Sequence, residues 1–295
     1  FRCNLRCTHC MIEGTMSQLA PTEGADFDAV LQKQAATGQW DGLVLTGAEI
    51  TLRRDLPEIV ARAKAAGFGH IRIQTHGMQL HRPDYLERLV AAGADEFFIS
   101  VTAGSEARHD AITKVAGSWQ RMRAGIDLIE TRFPHVAIIT NTVITAESVD
   151  ELEAVVAAFA GYRTVVQHEF WNFFPMDEVD HKALCVPLVR LMPPLRAAIA
   201  AARRAGRLVE VKNVPECLMG DDRDALVNTQ PLLVIDEAFW EGFDRNGFYT
   251  CPHRQRCGAT ECLGLTTAYL RRFGDEAALL SPLPPAGAAH PIHGE

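Results

Sequence analysis

Leu43-Val44-Leu45-Thr46-Gly47-Ala48-Glu49 and Ile71-Arg72-Ile73-Gln74-Thr75-His76-Gly77 are the two ends of the repeat unit that decides the fold. Each runs through apolar and β-branched residues and stops at a glycine, as a strand does where it enters a turn. Between them Leu56, Ile59, Val60 and Ala63 fall on one helical face. Asp55 is placed to cap this helix, and Gly67 to end it in a left-handed turn. Strands that recur at intervals of about 27 residues with a helix between them form βα units, whose strands pair in parallel.

The unit repeats outward in both directions. Candidate strands are Leu43–Thr46, Ile71–Thr75, Glu96–Thr102, Val136–Ile144 and Thr164–Trp171. Helices are expected at Phe27–Thr37, Leu56–Ala66, Pro83–Ala92, Trp119–Arg132 and Val149–Ala160, with a longer insert around 103–118. Pro83 and Gly93 frame the third of these helices. Right-handed crossovers permit a doubly wound sheet or a barrel. The chain opens Phe1-Arg2-Cys3, without Met, and reads as a fragment that has lost its N-terminal strand. Five strands plus one lost suit an α/β fold, a partial (β/α)6 TIM-type barrel. Its active site then lies at the C-terminal strand ends, where Thr46-Gly47, Thr75-His76-Gly77, Ser100-Val101-Thr102 and Asn141-Thr142 stand.

Beyond residue 172 the pattern breaks into an irregular Cys-rich C-terminal extension, 172–280. It holds an expected helix at Leu188–Ala205, a strand at Arg207–Val214 and a short helix at Thr266–Phe273, with 213–263 irregular. The acidic Gly220–Asp224 run reads as a solvated turn. Residues 281–295, rich in Pro, read as a flexible tail.

Composition narrows the function. Of 295 residues, 47% are hydrophobic and 22% charged, which fits a globular domain. A net charge of −8 argues against a nucleic-acid partner. The longest apolar run, Ala154–Ala160, falls far short of the roughly 20 residues a membrane span needs. No signal peptide is visible, so the expectation is a cytoplasmic protein without a membrane partner.

Six of the eight cysteines are clustered. Cys3, Cys7 and Cys10 converge on one centre, which thiolates suit to zinc or an iron–sulfur cluster. A closed zinc site needs a fourth ligand, for which His9 is badly placed beside Cys10. Three cysteines leave one iron of a [4Fe–4S] cluster open. Cys251, Cys257 and Cys262 form the second group, and Cys217 upstream supplies a fourth thiolate. Gly, Pro and basic residues around them suit a cluster, although a structural Zn(Cys)4 site fits as well. Cys185, between apolar neighbours, reads as a buried thiol.

Cys3-Asn4-Leu5-Arg6-Cys7-Thr8-His9-Cys10 resembles the CxxxCxxC loop of the radical S-adenosylmethionine (SAM) superfamily. The resemblance implies a [4Fe–4S] cluster on Cys3, Cys7 and Cys10 whose open iron binds SAM. It implies reductive cleavage of SAM to a 5′-deoxyadenosyl radical, which abstracts hydrogen from a substrate. Thr46–Leu52 is similar to the family's TGGEPTL segment, with Ala48 for Gly and Ile50 for Pro. Ile71–Gly77 resembles the next strand end, with His76 where Asn is common. Ser100-Val101-Thr102, His109-Asp110 and Lys114 resemble the segment after that. The resemblance therefore assigns SAM to Gly47, Ala48, Glu49, Ser100 and Lys114. It makes residues 1–171 the core barrel, and likens the extension to twitch or SPASM domains with an auxiliary [4Fe–4S] cluster on Cys217, Cys251, Cys257 and Cys262. A full SPASM pattern has seven cysteines, so a one-cluster, twitch-like form fits better.

The implied function is an oxidoreductase or maturase that modifies a natural-product small molecule or a ribosomal peptide. Its electrons would come from a donor such as flavodoxin or ferredoxin. The Ala48 and Ile50 departures motivate a rival, a non-catalytic iron–sulfur or zinc protein that retains the fold. On the last barrel strand Gln167 and Glu169 share one face and His168 takes the other. Trp171, Phe173 and Phe174 either floor a substrate pocket there or pack in the core.

Overall fold

The computed structural model describes residues 2–14, 19, 24–229, 232–248 and 250–284. The strands are β1 (Gly42–Leu45), β2 (His70–Thr75), β3 (Glu96–Ser100), β4 (Ala137–Ile144), β5 (Val165–Asn172) and β6 (Leu208–Lys212). The helices are α1 (Gly24–Thr37), α2 (Leu56–Ala65), α3 (Pro83–Ala92), α4 (Glu106–Thr113), α5 (Ser118–Arg132), α6 (Leu152–Phe159), α7 (Leu188–Arg204), α8 (Glu237–Asn246) and α9 (Thr267–Phe273). All strand pairs are parallel, in the order β1-β2-β3-β4-β5-β6. A doubly wound sheet would reverse its order at a switch point; an unbroken sequential order is that of a barrel wall.

The two faces of the sheet differ in chemistry. Ile71, Ile73, Phe97, Ile99 and Ile138 point outward and pack with Leu56, Val60, Leu86 and Ile126 of the helices. Ile144, Phe170 and Val211 continue this layer against Leu191, Leu195 and Ile199 of α7. Alternation sends the intervening residues inward: Arg72 and Gln74 on β2, Phe98 on β3, Asn141 on β4, Glu169 and Trp171 on β5. Phe98 and Trp171 belong to strands that are not neighbours, yet their rings lie 5.9 Å apart. The sheet is therefore curled, with its polar face on the concave side.

Several local expectations need correcting. Asp55 makes no side-chain cap bond; its carboxylate accepts from Arg53 Nη2 at 2.7 Å and Nε at 3.1 Å. The 103–118 insert contains α4, whose sequence has no clear apolar stripe. The expected Val149–Ala160 helix begins as a 3-10 turn at Val149–Glu151. The irregular stretch 213–263 contains α8, and Gly220–Asp224 is part of a 3-10 turn tied to Arg203. Of the expected tail, residues 285–295 lie outside the described residues. Among the described residues no helix is long and apolar enough to cross a membrane.

Two buried histidines give the fold an acid limit. His109 holds the Thr102 N–H at 3.3 Å, and His168 shares a 2.7 Å hydrogen bond with Thr140. Burial lowers both from 6.5 to about 4. Both are neutral when folded, and unfolding frees them to protonate. The unfolded state then binds more protons between pH 6.5 and about 4, so stability should fall as pH drops through that window. Urea midpoints at about pH 7 and about pH 5 check this. Equal midpoints would contradict it.

Candidate active site

The Cys3–Cys10 segment is fastened across the C-terminal strand ends. Arg6 and Thr8 donate their N–H groups to the carbonyls of Thr113 (3.1 Å) and Ile112 (3.0 Å), at the end of α4. Arg2 accepts from the Glu49 N–H at 3.0 Å, which joins the loop to the turn after β1. The Thr8 hydroxyl donates to Glu147 at 2.6 Å, beyond β4. Lys182 of the extension donates to the Thr8 carbonyl at 2.8 Å and pairs with Glu13. The loop thus has a fixed path despite lacking regular structure of its own.

Its thiols sit in a medium that disfavours their charge. Burial and the neighbouring Cys10 and Cys3 push Cys7 up to about 12. Burial also raises Cys3 and Cys10. Backbone N–H groups oppose this: Leu5 donates to Cys3 Sγ at 3.4 Å, and amides of Ile12 and Glu13 face Cys10. Crowded, half-buried sulfurs with amide donors aimed at them fit a cationic iron–sulfur group, which offsets their repulsion. Among the described residues no three His, Cys, Asp or Glu side chains are drawn together around a single metal ion.

Glu49 is a buried hub. It is 4% exposed. One oxygen accepts from the Thr51 N–H (3.0 Å), the Thr51 hydroxyl and the Thr75 hydroxyl (2.6 Å). The other accepts from the His76 N–H at 2.9 Å and lies 3.1 Å from the His76 ring. His76 Nδ1 accepts from the Met78 N–H at 3.1 Å, so the ring proton sits on Nε2, 2.7 Å from Asn4 of the Cys loop. His76 is therefore a strut between the β2 turn and the loop. Gly47, with φ 152°, has a backbone that other residues take only with strain. Ala48 is not among the positive-φ residues, so the departure at that position costs no strain. Ile50 opens the 3-10 turn Ile50–Leu52, a first-turn position where proline also fits.

Ser100 ends β3 beside Asn141 of β4 in register. Lys114 is exposed and sits in the left-handed region at φ 57°, directly after the carbonyls that hold the Cys loop. Three buried polar atoms in this neighbourhood have no partner: His9 Nδ1, Thr102 Oγ1 and Asn141 Nδ2. Sequence reasoning noted Thr102 and Asn141 only as strand ends. Nothing local signals that their side chains would be buried and unpartnered.

Cys217 lies near the second cysteine group despite the long stretch of sequence between them. Cys217 lies close enough to Cys262, Cys251 and Cys257 for their charges to raise it, although burial contributes most. Amide donors reach these sulfurs as well, from His253 to Cys251 (3.4 Å) and from Leu283 to Cys257 (3.3 Å). Cys185 lies elsewhere, 4% exposed against the buried Asp180.

A model of the radical SAM superfamily matches residues 1–159, more than half of the 295-residue chain. The chain belongs to the radical SAM superfamily. Membership implies a [4Fe–4S] cluster and SAM as cofactors. Among relatives, molybdenum cofactor biosynthesis protein 1 of Drosophila melanogaster is 39% identical over 134 residues, 43% of this chain and 22% of that protein. The AdoMet-dependent heme synthase of Methanosarcina barkeri is 28% identical over 174 residues, 57% of this chain and 47% of that protein. Streptococcus suis SuiB bound to its precursor peptide SuiA superposes with a TM-score of 0.56 at 14% identity, over 78% of this chain and 51% of that one. At that identity the likeness concerns the fold alone. This radical SAM chain spans less than two thirds of each of these proteins.

Proposed function

We propose that this chain is a radical SAM oxidoreductase or maturase acting on a small molecule or a peptide. In this reading the core barrel, which the sequence places at 1–171, continues through α7 and β6, the strand that completes the sheet, and the remainder up to 280 is an extension with an auxiliary cluster. Cys3, Cys7 and Cys10 would hold the cluster that binds SAM. When bound, the cluster supplies one electron that cleaves SAM to a radical able to take hydrogen from the substrate.

The rest is work for the polypeptide. Glu49 and His76 keep the turns after β1 and β2 against the Cys loop. The Gly47–Glu49 backbone is then placed to meet the SAM amino group. Ser100 and Lys114 would serve its ribose and carboxylate. The observation that carries the reading is the fixed Cys loop, held over the strand ends beside buried, unpartnered Asn141, Thr102 and His9 atoms. Buried polar atoms without partners are rare unless a ligand satisfies them.

Cys217, Cys251, Cys257 and Cys262 would hold an auxiliary [4Fe–4S] cluster with no open iron, suited to passing electrons or fixing structure. A flavodoxin or ferredoxin is the proposed donor. Relatives named GTP 3′,8-cyclase and a structural neighbour bound to a precursor peptide support a radical reaction on either substrate class.

The test is 5′-deoxyadenosine formation by protein reconstituted anaerobically with iron and sulfide, reduced, and given SAM. The parent should form the product. A Cys3→Ala, Cys7→Ala, Cys10→Ala variant should form none. A parent with a full iron complement that neither binds nor cleaves SAM would favour the non-catalytic rival.

A further inference from the structure

Glu169 on the concave face takes no part in holding the Cys loop. It is 3% exposed. Its carboxylate accepts from Gln167 Nε2 at 3.0 Å and Trp171 Nε1 at 2.7 Å, both neutral donors. A carboxylate has about four acceptor positions, so two remain. The cations nearby are engaged elsewhere. Arg72 pairs with Glu96, and Lys212 donates to the carbonyls of Val227 (2.7 Å) and Thr229 (3.3 Å). Among the described residues no Lys, Arg or His forms a salt bridge with Glu169. Glu210, its register partner on β6, lies on the same face and is paired with Lys212 at 3.8 Å. Burial, then Glu210, raises the Glu169 pKa, against the Trp171 hydrogen bond and the more distant charges of Lys212 and Arg72. Buried carboxylates are normally paired, and one left without a cation marks a site.

A second observation points to a ligand at the same place. Asn141 is the register partner of Glu169 on β4, about 4.8 Å across the sheet. It is 6% exposed, and its Nδ2 has no acceptor. Trp171 and Phe98 make an aromatic wall beside the pair, with rings 5.9 Å apart. Their faces already carry Lys212, 5.7 Å from the Trp171 ring, and Arg72, 5.6 Å from the Phe98 ring, so the open positions are those of the Glu169 carboxylate and Asn141.

We propose that Glu169, Trp171 and Asn141 seat the nitrogen end of an amino-acid or peptide substrate. An ammonium or guanidinium group lies on the Glu169 carboxylate, and a neighbouring carbonyl accepts from Asn141 Nδ2. Glu96 and Glu210 are paired with Arg72 and Lys212, so a triphosphate would meet the unpaired Glu169 carboxylate here. The inference rests on the reading that the barrel mouth is the active site, and it narrows the substrate class.

The probes are argininamide and lysinamide, with GTP as the competing chemistry. Binding to the reconstituted protein with SAM is read by Trp fluorescence and calorimetry. Argininamide or lysinamide should bind in the millimolar range, and Glu169→Gln should weaken it at least tenfold. Asn141→Ala should weaken it severalfold, and Glu169→Asp should recover part of the loss. Iron content and circular dichroism matching the parent show that each variant is folded. Unchanged binding by the folded Glu169→Gln variant, no binding of either amide by the parent, or tighter binding of GTP than of either amide would overturn the proposal. Parent 5′-deoxyadenosine formation is scored separately. Product without amide binding sinks this inference alone, and amide binding without product sinks the broader reading alone.

Discussion

Glu49→Ala is expected to destabilise the protein by about 4 kcal/mol and to misplace the Cys loop. The Thr51 and Thr75 hydroxyls can turn to other acceptors, but the N–H groups of Thr51 and His76 cannot. Each buried donor left without an acceptor costs about 1–3 kcal/mol. The His76 ring also loses its carboxylate partner, which loosens its grip on Asn4 of the loop. Glu49→Gln is the informative contrast. It keeps the volume, yet one side of its amide must present a donor either to Thr51 and Thr75 or to His76, all of which are donors already. A loss of about 2 kcal/mol is expected for it. Urea unfolding of the apoprotein measures both. An alanine variant within about 1 kcal/mol of the parent would show that the turns after β1 and β2 are held by other contacts.

This hub also shows what the sequence could and could not convey. The outer face of the barrel was legible because Ile71, Ile73, Phe97 and Ile99 must meet helices, and such burial leaves a period in the sequence. The inner face gave only alternation, which a half-solvated sheet would give as well. That Glu169 and Asn141 are buried there depends on how far the sheet curls, a property of the whole wall. The burial of Glu49 is likewise collective, since its donors come from two different turns. α4 leaves no such period because its surface lacks an apolar stripe; its importance is the carbonyls at its end, which hold Arg6 and Thr8. The cysteine loop was legible because three thiols in so short a segment have few structural uses.

Replacing Cys217 and Cys262 together with Ala is expected to halve the iron content, from about eight per chain to about four. Cys217 stands on a short 3-10 turn, Glu216–Leu218, far upstream of its partners in sequence. Glu216 closes that distance: its carboxylate accepts from the N–H groups of Thr260 (2.9 Å) and Glu261 (2.8 Å). This clamp sets Cys262 near Cys217, where burial is the main cause of each raised pKa. The surrounding segment has little regular structure to hold it, a 3-10 turn at Arg254–Arg256 and one bridge between Thr250 and Leu265. The proposed metal centre would supply that order, since binding free energy there becomes folding free energy. The double variant should therefore be cut faster by protease between residues 250 and 265 while the Cys3 loop, held by α4, keeps its iron. Iron and zinc analysis decides the matter: about four irons and one zinc in the parent would make the second site structural zinc, and about eight irons retained in the variant would remove Cys217 and Cys262 from the ligand set.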